Sequence, residues 1–216
     1  MAATAIVFDL EFTSWQGALK GRWLAPGQFR EVVQIGAVRL DVLSLTELAT
    51  CNLLVQPRLN PELSDYLVQL TGISNARVAQ DGVDFVPAYQ RFIDFCADGT
   101  ACAFGRDDLV LAENRALYGL TAGPTLRRYL NIAEWLRANG IDTKGRHACD
   151  VGPLCGADFV GQRHDALDDA RSVAAGIREL VRKGAENPFL GSSDRTVRYG
   201  PQFNAASSVG QARDGR

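Results

Sequence analysis

Two carboxylates one residue apart close the first apolar run of the chain, Thr4 to Thr13 (TAIVFDLEFT). In an extended segment the side chains at i and i+2 share a face, so Asp9 and Glu11 project together. A strand rise of about 3.3 Å per residue leaves their Cα atoms ~6.6 Å apart, close enough for both to reach one hard cation. Ile6, Val7, Phe8 and Leu10 make the run apolar on both faces, as in a central strand covered on both sides. Acids at the end of such a strand are costly to desolvate unless they are paired or hold a metal. The plainer alternative puts them just past the strand end, in water.

More acids recur downstream. Asp107 and Asp108 follow a short apolar strand and turn (TACAFGR), at the C-terminal sheet edge where open α/β sheets bind ligands. Acids at a helix start are also stabilised by its dipole, so residue type alone does not choose between the two. In GQRHDALDDARSVAAG, His164 stands just before the last strong helix. Asp165 and Asp168 have the spacing of a capping arrangement. Asp169 instead adjoins Ala170 on the apolar stripe, near the buried side, where an acid needs a partner. His147, the only other histidine, falls in a weakly patterned region and reads as a surface residue.

The elements that must position these groups follow from periodicity and punctuation. Strands are expected over Thr4 to Thr13, Glu31 to Leu40, Leu45 to Val55, Thr100 to Phe104 and Arg128 to Ile132. The first three are joined by links that suggest antiparallel neighbours. Helices are expected from Pro61 to the Gly72 C-cap, and over Asp84 to Ala97, Asp107 to Tyr118, Ala133 to Asn139 and Asp165 to Arg182. In the last, Leu167, Ala170, Ala174, Ile177 and Val181 form one stripe. Ser14 to Arg30 reads as a long excursion beside the acids, with Trp15 and Trp23 packing it down or, as the alternative, stacking on bases. Ile141 to Gly161 gives little signal.

The 216 residues fit one domain over residues 1–184, with a C-terminal extension (185–216) expected to be poorly ordered from Gly191 on. A hydrophobic content of 46% suffices for a buried core, and a net charge of −2 rules out a large basic footprint for duplex binding. Five cysteines without a Cys-x-x-Cys pair argue against a zinc site or a disulfide framework. No apolar run approaches membrane-spanning length. A cytoplasmic protein with no membrane partner is the expectation.

Taken in order, these motifs resemble those of the DEDDh-type 3′-to-5′ exonucleases, the ribonuclease H-like branch that includes polymerase proofreading subunits and ribonuclease T. FDLEFT resembles the first motif and carries over to Asp9 and Glu11. FGRDD resembles the second, in which the aspartate follows a Gly-x-x turn, and this selects Asp108. HDALDDA resembles the third, a histidine followed five residues later by the last aspartate, giving His164 and Asp169. LTGIS (70–74) and YLNI (129–132) are similar to the branch that trims small-RNA and ribosomal RNA 3′ ends. The similarity spans roughly residues 4–183.

The resemblance implies an α/β fold, a ribonuclease H-like mixed five-stranded sheet flanked by helices. It also implies two-metal-ion hydrolysis that releases nucleoside monophosphates from single-stranded RNA or DNA 3′ ends, with RNA favoured. Asp9, Glu11, Asp108 and Asp169 would hold two Mg²⁺ or Mn²⁺ ions, an oxygen donor set suited to hard cations. Asp9 would bridge both ions, Glu11 and Asp169 would complete the first site, and His164 would act as general base. Phe12 and Thr13 would contact the terminal nucleotide, with a core role the equal alternative for Phe12, and Arg106, Arg115 and Arg163 are candidate phosphate contacts. The alternatives are a non-catalytic nucleic-acid-binding module on the same fold and a DNA proofreading-type exonuclease. The presence of all four acids and the histidine favours the enzyme, and homodimer formation is left open.

Overall fold

The computed structural model describes residues 3–97 and 99–190. Its strands are β1 (Thr4–Phe12), β2 (Val32–Asp41), β3 (Glu47–Gln56), β4 (Val83–Asp84), β5 (Thr100–Ala103) and β6 (Tyr129–Asn131). They form one mixed sheet in the order β4-β3-β2-β1-β5-β6, one strand more than the five expected. The first three make the expected antiparallel meander, with the long 14–30 excursion joining β1 to β2 and a short turn joining β2 to β3, and β5 and β6 continue the sheet in parallel. The extra strand, β4, is two residues long and lies along the end of β3. A run that short has no period to read.

The central strand β1 alternates between two cores. Ile6, Phe8 and Leu10 pack with Ile35 and Ala37 of β2 against α4 (Phe85–Cys96) and α5 (Asp107–Leu117). Ala5 and Val7, with Val38 and Leu40 of β2, pack against the stripe of α8 (Ala166–Arg182). Of the stripe expected for that helix, Ala170, Ala174 and Ile177 are buried, and Leu167 and Val181 pack at its margin. Continuing the second β1 row in two-residue steps puts Asp9 and Glu11 on the α8 face.

How α8 meets the sheet is set by β2. The β2 row facing the helix runs Leu40, Val38, Gly36, Gln34, and Gly36 pairs with Asp9 while Gln34 pairs with Glu11. A Cβ on Gly36 would lie 2.1 Å from the Ala166 carbonyl carbon and 2.1 Å from the Leu167 nitrogen, so only glycine lets the helix start rest there. Beside it the fully buried Gln34 makes three bonds. Its Nε2 donates to Asp165 Oδ2 at 2.9 Å and to Asn52 Oδ1 at 3.0 Å, and its Oε1 accepts from the Ala166 N–H at 3.0 Å. Asp165 Oδ1 caps the helix by accepting from the Leu167 and Asp168 N–H groups.

The remaining elements refine the expectations. α2 (Asp65–Thr71) starts later than Pro61 because Ser64 caps it, accepting from the Leu67 N–H, and it ends at Gly72 with positive φ. α3 (Asn75–Asp81), unforeseen, is capped by Ser74 in the same way. The 14–30 excursion contains a four-residue helix, α1 (Ala18–Gly21). After β6 comes α6 (Ile132–Ala138), and the weakly patterned 141–161 stretch holds a 3-10 turn at Ala148–Asp150 and α7 (Val151–Cys155). Residues 185–190 pack back on the domain: Phe189 is buried and Asn187 Nδ2 donates to the Val42 carbonyl. The disorder expected beyond Gly191 lies outside the described residues. All five cysteines are free, and among the described residues no helix is long and apolar enough to cross a membrane.

Because the backbone of Ala166 and Leu167 occupies the space a Gly36 side chain would need, Gly36→Ala must push α8 off the sheet. Overpacking of this kind costs about 1–3 kcal/mol, at roughly 2–4 °C of melting temperature per kcal/mol for a chain of this size. The expected outcome is a Tm lower by several degrees together with loss of turnover. A variant with wild-type Tm and rate would show that the helix start does not need this contact.

Candidate active site

The sheet places Asp9 and Glu11 at the C-terminal end of β1, and α8 brings Asp169 and, just ahead of its cap, His164. One ligand atom each from Glu11, His164 and Asp169 lie within 4.8 Å of one another. Glu11 is 8% exposed and Asp169 2%. Burial pushes the carboxyls of Asp9 and Glu11 well above the usual range, and the charges of Asp107 and Asp169 raise both further. Burial pushes Asp169 up to about 7, against the His164 N–H and the Arg163 charge, which pull it down. Among the described residues Asp169 Oδ1 and Asp107 Oδ2 are buried without a hydrogen-bond partner. Such orphaned carboxylate oxygens are costly unless a cation takes them up. All the acids offer oxygen and none of the cysteines joins them, so the residues fit hard divalent cations.

The second motif divides in an unexpected way. Asp108, expected in the metal set, is 6% exposed and has both carboxylate oxygens bonded by the Arg106 guanidinium at 2.9 Å. Asp107 is the acid whose charge reaches Asp9 and Glu11, and its own carboxyl is pushed to about 7, first by burial and then by Asp108. The two lie side by side in the first turn of α5 and point in different directions, because successive helical residues are turned by ~100°.

His164 has a backbone φ of 62°, the left-handed region that costs a residue with a Cβ about 1–2 kcal/mol. Such a conformation persists only where the surroundings impose it. Here Gln162 Nε2 donates to the Thr71 carbonyl at 2.5 Å and Gln162 N–H to Asp168 Oδ2 at 2.8 Å. Arg163 donates to Asp150 Oδ1 at 2.7 Å, and Asp150 Oδ2 accepts from the His147 N–H at 2.9 Å. His147, though exposed, sets the edge of its ring against His164, with centroids 5.3 Å apart. Burial, followed by the neighbouring His147 and Arg163 charges, holds the His164 imidazole below its ordinary value of 6.5, so it is neutral at pH 7.

The two residues expected to touch the terminal nucleotide serve the base of the excursion. Thr13 is 2% exposed; its hydroxyl donates to the Phe29 carbonyl and accepts from the Glu31 N–H at 2.9 Å, which occupies its polar atom. Phe12 is half-buried, with Trp23 edge-on at 5.6 Å and the Arg30 guanidinium 5.9 Å from its ring. Of the candidate phosphate contacts, Arg106 and Arg163 are paired with acids. Arg115 folds back on Tyr89 and the Leu120 and Ala122 carbonyls. Sequence reading passed over Gln34, Gly36 and Asp150. The first two were visible as a polar residue and a glycine inside the otherwise apolar VVQIGAV, but their meaning depends on strand register.

The RNase_T family model, described as exonuclease, matches residues 6–176. The chain belongs to this exonuclease family. Among solved structures, the nuclease domain of 3′hExo, a DEDDh family member bound to rAMP, superposes with a TM-score of 0.72 at 22% identity, over 86% of this chain and 95% of that one. A 3′-exonuclease structure concerned with 3′-end recognition of histone mRNA stem-loop gives 0.72 at 21%, over 86% and 84%. The zinc-bound E. coli ExoI–ssDNA complex gives 0.62 at 14%, over 86% of this chain and 42% of that one. At these identities the neighbours establish the shared fold. No curated protein matches the chain.

The raised carboxyls of this exonuclease predict how its stability follows pH. Free carboxyls in an unfolded chain titrate near ~4, whereas Asp107 and Asp169 titrate at about 7 in the fold and Asp9 and Glu11 are also raised. Between those values the folded state binds more protons than the unfolded one, so stability falls as pH rises. His164 is shifted down and works in the opposite sense, one group against four. In EDTA, the melting temperature is expected to drop from pH 5.5 to pH 8, and Mg²⁺ or Mn²⁺ to restore more of it at pH 8. A metal-induced shift of equal size at both pH values would show that these carboxyls do not bind the cations.

Proposed function

We propose that this exonuclease removes nucleoside monophosphates from the 3′ ends of single strands, RNA ahead of DNA, with His164 as general base. In this reading Asp9, Glu11, Asp107 and Asp169 hold two Mg²⁺ or Mn²⁺ ions. The observation that carries it is the set of mutually repelling buried acids, two with orphaned oxygens, kept together beside a neutral imidazole. When bound, such ions lower the pKa of a water and offset the charge that builds on the phosphate and the leaving 3′ oxygen.

The chain's own groups supply the rest. The neutral His164 ring can take a proton, and one of its nitrogens lies within 4.8 Å of an oxygen of Glu11 and of Asp169. Once protonated, the imidazolium is favoured by the nearby Asp150 charge, and the His164 backbone N–H separately donates to Asp169. The left-handed backbone and the Gln162 and Arg163 anchors keep the ring in place, so that little ordering remains for the reaction itself. The preference for RNA rests on LTGIS and YLNI, and the neighbours bound to rAMP or recognising a histone mRNA stem-loop support it. A monomer or a homodimer would house the same site. A cytoplasmic location fits the five free cysteines.

His164 among the potential ligand atoms favours a second reading, in which its imidazole ligates an ion. The experiment uses 5′-labelled RNA and DNA strands of one sequence with Mg²⁺ or Mn²⁺, beside EDTA. A ladder shortening from the 3′ end, faster on RNA and absent in EDTA and with Asp9→Ala, is the expected result. Intact strands throughout would sink the proposal. His164→Ala is expected to lower turnover by 10²-fold or more while the calorimetric affinity for Mn²⁺ stays near wild type; loss of that affinity would make the imidazole a ligand instead.

Asp107 and Asp108 are separated by the same assay. Asp107→Asn is expected to cost turnover and Mn²⁺ affinity together, because its oxygen is the orphaned one. Asp108→Asn loses the Arg106 pair and is expected to cost less. The reverse order would mean that Arg106 releases Asp108 to the metal.

A further inference from the structure

The 14–30 excursion is not used by the chemistry above. Ser14 to Arg30 contains Lys20, Arg22 and Arg30 and no acid, in a chain whose net charge is −2. Arg30 is neutralised by a bidentate pair with Glu113. Lys20 and Arg22 are exposed and have no ion pair among the described residues. The segment also holds Leu19 at 72% and Leu24 at 80% exposure, large apolar side chains facing water beside the cations.

Its conformation is imposed from the site outward. Arg22 and Trp23 are consecutive non-glycine residues at φ 53° and 54°, a costly arrangement that needs surroundings to hold it. The Trp23 indole N–H donates to the Thr13 carbonyl at 3.1 Å, its ring meets Phe12, and Arg30 lies 5.5 Å from its centroid. Thr13 is two residues beyond Glu11. The strained turn therefore fixes Arg22 and the neighbouring Leu24 next to the end of the strand that carries the acids.

We infer that the excursion is an arm that holds the single strand 5′ of its terminal nucleotide, Lys20 and Arg22 binding backbone phosphates and Leu19 and Leu24 covering bases. The charge is complementary, and the arm is continuous with the site that takes the 3′ end. Phosphate contacts position a strand without reading its sequence, which suits an enzyme that shortens a strand step by step. This inference rests on the exonuclease assignment.

The test compares two substrates with Mn²⁺: a fluorescent 20-nucleotide strand and the p-nitrophenyl ester of thymidine 5′-monophosphate, which has no upstream phosphate. In Lys20→Gln/Arg22→Gln the ratio of kcat/KM for the strand to that for the ester is expected to fall about tenfold. The slope of log kcat/KM for the strand against log salt should flatten by about 1.4, at ~0.7 per phosphate lost from a single strand. Each single variant should flatten it by about 0.7, which serves if the double variant folds poorly. A wild-type ratio and slope in the variants would overturn the inference and leave the arm as a surface for a protein or a second copy. Wild-type protein that cleaves neither substrate would instead overturn the exonuclease reading beneath it.

Discussion

The start of α8 rests on bare backbone at Gly36, and the reactive group of acids exists because of that contact. The register of β2 against β1 sets Gly36 beside Asp9 and Gln34 beside Glu11, so the place where the helix can approach is the place where the carboxylates stand. The acids repel one another: the charges of Asp107 and Asp169 raise the proton affinity of both Asp9 and Glu11. Side-chain electrostatics would drive them apart. What holds them is the packing of Ala170, Val173, Ala174 and Ile177 on Val7, Val38 and Leu40. Burying such a row contributes about 25 cal/mol per Å² of apolar surface. The same rigid helix that this row fixes delivers Asp169 and His164.

Gln34 is the polar counterpart of that packing. A buried amide with unmet bonds is a liability, but here both ends of the side chain are used, one on Asp165 and Asn52 and the other on the Ala166 N–H. Asp165 divides its oxygens between Gln34 and the helix cap. The cap, the buried amide and the glycine thus act as one joint. Glu31 forms a second joint at the other end of the excursion, its carboxylate accepting from the N–H groups of Arg58, Leu59 and Asn60 and from the Tyr118 hydroxyl. Both joints consist of polar residues that an apolar pattern treats as interruptions.

That is also where the sequence stopped being legible. The paired acids, the α8 stripe and the histidine before it follow from local period and spacing, and the structure places them as the pattern implies. The choice between Asp107 and Asp108 does not, since both sit in one helical turn and their directions depend on Arg106 and on what faces each side. The family-like spacing after Gly105 pointed to Asp108, whereas the fold sets Asp107 against the cluster. Short elements such as α3 and β4 were missed because two to seven residues carry little periodic signal. The left-handed turns at Arg22, Trp23 and His164 occur in residues that give no local warning, and tertiary bonds to Thr13, Thr71 and Asp150 impose them.

A site built from acids must still attract a polyanion. The arginines adjoining the motifs do not solve this, since Arg30, Arg106 and Arg163 are each paired with a carboxylate. Such pairs orient side chains but leave little net field, and exposed ones contribute little stability. In the proposed arrangement two divalent ions match four carboxylates charge for charge, which removes the repulsion at the reacting phosphate and adds no surplus beyond it. The attraction for the rest of the strand has to come from elsewhere, and the acid-free excursion is the segment that adjoins the cluster with exposed cations to offer. A near-neutral protein can in this way hold a short, end-bound strand without the broad basic surface that duplex binding requires.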